Sequence, residues 1–144
     1  MNAYADTSFL VSLYFLDANT AQATTAMRHQ GPVFGISVWN RLEFENALQL
    51  LVFRKLTTEV RAASCLRKFE DEINLGLLVP VALDFDHVIA LARRLVARHV
   101  ATLGIRSLDT LHVAAASALG VTDFFTFDQR QRALAAAEGL QVSP

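Results

Sequence analysis

The stretch Ala3-Tyr4-Ala5-Asp6-Thr7-Ser8-Phe9-Leu10-Val11-Ser12-Leu13-Tyr14-Phe15-Leu16 decides the fold. Its first three residues read as a short strand, which gives way to an apolar helical run from Phe9 to Leu16, with Asp6 at the junction. A strand that feeds a helix is the opening of an α/β layout, and an acid at the carboxyl end of such a strand faces the crevice where open α/β sheets bind ligands. Asp-Thr-Ser is equally a good helix cap, since the carboxylate accepts an N–H from the first turn. Asp6 alone carries both readings, so the question is whether other acids join it.

Further along, short apolar segments alternate with longer helical ones, the pattern of a parallel sheet covered by helices. Val33 to Ile36, after Gly31-Pro32, is a second predicted strand. Leu78 to Leu83 is a third, in which Pro80 implies an edge position or a late start. Asp123 to Phe127 is a fourth and Leu140 to Val142 a short fifth. Helical spacing of apolar residues predicts helices over Trp39 to Phe53, with Phe44, Ala47, Leu48 and Leu51 on one face, and over Thr58 to Ile73, with Ala62, Cys65, Leu66 and Phe69. Asp84 and Asp86 open another helix, where acids suit the positive end of the dipole, and Arg93, Arg94 and Arg98 face outward. An Ala-rich helix from Leu108 to Leu119 stops at Gly120, and a last one from Gln129 to Glu138 stops at Gly139.

The 144 residues suit a single domain, 1–144, with no repeat and no Pro/Gly-rich linker. No apolar run approaches the roughly 20 residues that cross a bilayer, and the N-terminus has no signal-like core, so the expected location is cytoplasmic without membrane contact. Cys65 is the lone cysteine and reads as core packing. The net charge of −1 by itself argues against a nucleic-acid partner.

Four acids fall at equivalent places in this layout. Asp6 ends strand one, Glu43 lies in the first turns of the helix after strand two, Asp109 lies in the first turn of the Ala-rich helix, and Asp128 follows strand four. In a parallel sheet, strand ends and the starts of the following helices collect at one edge. Four carboxylates gathered there repel one another unless a cation neutralises them. An oxygen-only site of this kind, with no His or Cys motif, suits Mg²⁺ or Mn²⁺, which bind phosphate oxygens and activate water for phosphodiester hydrolysis. Setting these four aside removes four of the 14 acids and leaves 10 against 13 basic residues, a balance compatible with RNA.

The order Asp6-Thr7-Ser8, Ser37 with Glu43 six residues on, Arg106-Ser107-Leu108-Asp109-Thr110-Leu111-His112-Val113-Ala114-Ala115-Ala116, and Phe125-Thr126-Phe127-Asp128 resembles the successive motifs of PIN-domain proteins, and within them the VapC toxins of toxin–antitoxin pairs. The resemblance covers nearly the whole chain. It implies a PIN-like three-layer sandwich with about five parallel strands, a Mg²⁺- or Mn²⁺-dependent endoribonuclease, a neutralising antitoxin and a homodimer. It places metal-binding carboxylates at Asp6, Glu43, Asp109 and Asp128, with Thr7 and Thr126 as supporting hydroxyls. The first strand, Ala-Tyr-Ala, is smaller than is usual in the family.

Other residues carry plainer readings. Glu45 is about 200° around its helix from Glu43 and pairs with Arg41 on the solvent side. Ser107 reads as the cap that leaves Asp109 free. His112 reads as a hydrogen-bonded structural residue, with a phosphate donor or proton shuttle as the functional alternative. Asp123 sits at the wrong end of its strand. Arg106, Arg130 and Arg132 flank site acids and are candidates for RNA phosphates. Phe9, Leu13 and Phe53 are candidates for an apolar groove that takes an antitoxin helix, with core packing as the alternative. A phosphatase using Asp6 as nucleophile would pair it with an acid two residues on, where this chain has Ser8. A PIN-like module that binds RNA or protein without cutting is the non-enzymatic alternative.

Overall fold

The central strand is the small one. In a computed structural model, which describes residues 1–31 and 33–144 and only the backbone at His29 and Gln30, β1 (Ala3–Ala5) is flanked by β2 (Phe34–Ile36) and β4 (Asp123–Phe125). Outside these lie β3 (Leu78–Pro80) and β5 (Gln141–Ser143), giving a parallel five-stranded sheet in the order β3-β2-β1-β4-β5. Pro32, read with Gly31 as the break before β2, lies outside the described residues. Pro80 ends the edge strand β3, where a missing N–H disturbs the ladder least, and Val81 supplies the next donor to the Ile36 carbonyl at 2.9 Å.

The smallness of β1 has a packing reason. Ala3 pairs with Phe34 and Ala5 with Phe125, and the two phenyl rings meet edge to face with centroids 4.9 Å apart, in the room that the alanines between them leave. On the opposite face the sizes invert: the large Tyr4 pairs with Gly35 on one side and stacks on Phe124 at 5.9 Å on the other. Small residues thus sit beside large ones on both faces, Ala3 and Ala5 beside phenyl rings and Gly35 beside Tyr4, and every β1 residue is buried. Replacing Ala5 by Leu is expected to overpack this layer and cost about 1–3 kcal/mol, read as a lower urea midpoint.

Helices cover both faces. The Phe34 face packs against α1 (Thr7–Tyr14), α2 (Thr20–Gln30), α3 (Val38–Phe53) and α4 (Glu59–Asn74), and the Tyr4 face against α5 (Phe85–Leu95), α7 (Ser107–Leu119) and α8 (Gln129–Ala137). A π-helical turn, Val96–Val100, and the short α6, Ala101–Leu103, continue α5 until Gly104 ends it in the left-handed region. Among the described residues no helix is long and apolar enough to cross a membrane.

Three expectations are corrected here. Phe9 does not line a surface groove; it is fully buried, with its ring 5.6 Å from Phe34, 5.2 Å from Phe125 and 5.8 Å from Phe127. Leu13 borders a separate pocket with Met27 and Leu75, while Phe53 stands 81% exposed at the end of α3, so the three share no groove. The fourth strand stops at Phe125 because Ser8 Oγ and Thr126 Oγ1 take the N–H groups of Phe127 and Asp128 away from the ladder, at 3.0 and 2.9 Å. Ser107 is the first residue of α7 and not its cap, since Arg106 occupies the cap position, where its side chain makes no capping bond. Cys65 is buried, and its thiol donates to the Tyr14 carbonyl.

Candidate functional site

Asp6 leaves β1 as the N-cap of α1 and is fully buried, so cap and site residue are the same group. Its carboxylate accepts from the Phe9 N–H at 2.9 Å, from Ser8 Oγ at 2.8 Å to both oxygens, and from Thr126 Oγ1 at 2.8 Å. Burial raises its pKa above the ordinary aspartate value, against the lowering effects of the His112 charge and of these donors. Ser8, which sequence reasoning left without a role, joins α1 to the loop after β4 by accepting from Phe127 while donating to Asp6. The only sequence signal for it was its place in Asp-Thr-Ser.

Glu43 enters from the second turn of α3. Its Oε2 accepts from Thr7 Oγ1 at 2.8 Å and faces His112 Nε2 at 2.5 Å. Burial pushes the Glu43 carboxyl up, but the His112 hydrogen bond and charge, the Thr7 bond and the Arg106 charge outweigh it, and the net direction is down. Glu45 points away and pairs with Arg41 at 3.2 Å in exposed surroundings, a weak surface pair.

Asp109, in the first turn of α7, is buried between two donors from different directions. Arg106 Nε lies 3.1 Å from Oδ2 and Gln131 Nε2 lies 3.1 Å from Oδ1. Asp128 caps α8 by accepting from the N–H groups of Arg130 and Gln131, both at 2.9 Å. Gln131 was not singled out in the sequence. Its amide nitrogen faces a carboxylate, which only accepts, so its carbonyl oxygen is the atom left buried without a partner among the described residues.

All four acids line one open cleft of about 700 Å³, together with Thr7, Ser8, Arg106, His112 and Gln131. The structure brings Arg106 to the cleft but not Arg130 or Arg132. Arg130 is exposed, and Arg132 donates from Nη2 to the Thr126 carbonyl at 3.3 Å. These two flank Gln131 on α8, and it is Gln131 that turns inward. Each acid is separately held by neighbouring donors, and among the described residues no three Asp, Glu, His or Cys side chains form a group able to hold a metal ion as they stand. The side-chain oxygens lining the cleft include those of the four carboxylates, of a fifth acid, Asp17, and of Ser12, Asn19, Asn46 and Gln131. Asp123 lies at the far end of β4, beside Thr122.

Comparison with solved structures places this fold beside VapC20 of Mycobacterium tuberculosis, described as a sarcin-ricin loop cleaving toxin. The two are 22% identical, with 99% of each chain covered and a TM-score of 0.69, a likeness of fold. No curated protein matches the sequence significantly. The PIN domain family model matches residues 3–137, from β1 to the end of α8, and the chain belongs to the PIN domain family.

Proposed function

We propose that this chain is a VapC-type toxin, a metal-dependent endoribonuclease that acts in the cytoplasm and is neutralised by a cognate antitoxin. One observation carries the reading: four carboxylates from four separate elements line one cleft at the carboxyl edge of a parallel sheet. The donor set fits a hard divalent ion such as Mg²⁺ or Mn²⁺, being all oxygen, with a buried Gln131 carbonyl still lacking a partner. Asp6 and Asp109 are the principal ligands, and Glu43 and Asp128 complete the inner or outer sphere. The ion supplies a charge that activates water and offsets the negative charge developing on the phosphate. Ser8 and Thr126 hold Asp6 in place, as Thr7 holds Glu43.

Arg106 is an exposed cation at the cleft. Its side chain is 76% exposed while Asp109 is nearly buried, so an incoming phosphate competes for the guanidinium and frees one oxygen of Asp109. Arg130, exposed at the start of α8, meets the RNA backbone outside the cleft. Cleavage leaves a 3′-hydroxyl and a 5′-phosphate. A homodimer is the expected assembly.

The test uses purified protein with total RNA and a sarcin-ricin loop oligonucleotide, with Mg²⁺ or Mn²⁺ and with EDTA. Cleavage that EDTA abolishes is expected. Glu43→Gln should slow it by about 10–100-fold, whereas Glu45→Gln should stay within about twofold of the native rate. Equal loss in both variants would refute the assignment of Glu43. The separate tethering of each acid favours one rival, a PIN-like module that binds without cutting. That rival leads if calorimetry shows no Mn²⁺ binding and the RNA stays intact.

A further inference from the structure

We infer that His112 and Tyr4 are positioning residues that aim the Glu43 carboxylate into the cleft. The inference rests on the metal-dependent reading above. His112 sits one turn after Asp109 on α7 and is 1% exposed. Both ring nitrogens are used. Nε2 faces Glu43 Oε2 at 2.5 Å, and Nδ1 lies 2.9 Å from the Tyr4 hydroxyl. A carboxylate only accepts, so Nε2 carries the proton and donates it. The tilted Tyr4 ring at 5.8 Å and the Trp39 ring at 6.3 Å, edge to face, leave the imidazole little room to turn.

The Tyr4 hydroxyl is itself anchored. Its oxygen lies 2.8 Å from Asn40 Oδ1 and 3.0 Å from Ser37 Oγ as well as beside His112 Nδ1, with one phenolic proton serving the set, while Asn40 Nδ2 donates to the Ala5 carbonyl at 3.0 Å. The line of contacts therefore runs from the backbone of β1 and the cap of α3, through Tyr4 and His112, to one oxygen of Glu43. Thr7 fixes that same oxygen, and Oε1 has no hydrogen-bond partner among the described residues. A glutamate on an exposed helix turn samples many rotamers, and two donors on one oxygen restrict it to those that present the other.

A residue that merely fills the core and one that aims Glu43 differ in a measurable way. The amide of Gln reaches the position of Nε2 and keeps a donor to Glu43. The amide of Asn reaches only the position of Nδ1, which keeps the Tyr4 contact and leaves Glu43 unguided. His112→Asn should weaken binding of Mn²⁺ alone, measured by calorimetry, by about 10–100-fold. RNA cleavage should lose a similar factor in kcat, with KM for RNA changed by less than about threefold. His112→Gln should restore most of both losses. Tyr4→Phe, which removes one oxygen atom, should weaken Mn²⁺ binding several-fold in a protein that still melts cooperatively.

A folded His112→Asn protein with native Mn²⁺ affinity overturns the inference, as do equal losses in the Asn and Gln variants. If neither His112 variant folds, native Mn²⁺ affinity in Tyr4→Phe overturns it. A native protein that binds Mn²⁺ but cuts no RNA removes the nuclease reading and leaves the positioning role testable by affinity. A native protein that binds no Mn²⁺ removes both.

Discussion

Asp6→Asn is expected to lower RNA cleavage by roughly a thousandfold, about 4 kcal/mol of transition-state stabilisation, and to abolish toxicity. The substitution is nearly isosteric and keeps an oxygen for the Phe9 and Ser8 donors, so the fold survives. Its stability should differ from the native one in a pH-dependent way. The raised folded-state pKa means that the folded protein retains a proton which the unfolded chain releases above about 3.9. In metal-free native protein the Asp6 contribution is therefore most favourable below that value, and it declines as pH rises towards the folded pKa. The Asn variant has no such proton. Its melting temperature, measured in EDTA relative to the native protein, should rise between those two pH values and then level off. Glu43 has the opposite sign: its lowered folded pKa adds stability above its unfolded value, which is lost as pH falls through the folded one. Native cleavage rates in Asp6→Asn, with contaminating ribonuclease excluded, would remove Asp6 from the site. A falling temperature difference across that interval would remove its burial effect.

Phe9→Ala is expected to produce the largest loss of stability, about 3–5 kcal/mol, out of a total of about 5–15 kcal/mol for a domain of this size. Phe9 touches three other phenyl rings where α1 crosses the sheet, so its removal leaves a cavity that no flexible chain end can fill. The backbone N–H of residue 9 still caps through Asp6, so cleavage should persist at low temperature where the variant remains folded. Urea denaturation followed by circular dichroism measures the effect. A loss under about 1 kcal/mol would place Phe9 outside the tightly packed core.

The alternation of strands and helices was legible because Gly, Pro and Asx punctuation separates the apolar segments. Two caps were legible from an acid placed before an apolar helical run: Asp6 and Asp84 each accept from an N–H three residues on. Strand ends were not, because hydroxyls from elsewhere in the chain end β4 early. Helix α2 left little trace, since its Thr-Ala-Gln-Ala-Thr-Thr-Ala segment has no apolar stripe and the alanine at 23 is its only fully buried described side chain. Phe9 misled because an apolar helix residue does not reveal whether sheet or solvent faces it. The acids stood out by position alone. The contacts that hold them did not: His112 meets Glu43 across 69 residues and Gln131 meets Asp109 across 22, distances that only tertiary docking closes.

The position of β1 at the centre of the sheet also sets when the cleft comes into being during synthesis. Its partner β4 and the hydroxyl of Thr126, 120 residues after Asp6, are made long after β1 itself. Pairing across such a separation must wait for the whole intervening chain. A nascent chain still short of Asp123 lacks β4, the Thr126 donor to Asp6 and the fourth acid, Asp128. The cleft is thus assembled only once β4 and the segment after it have emerged.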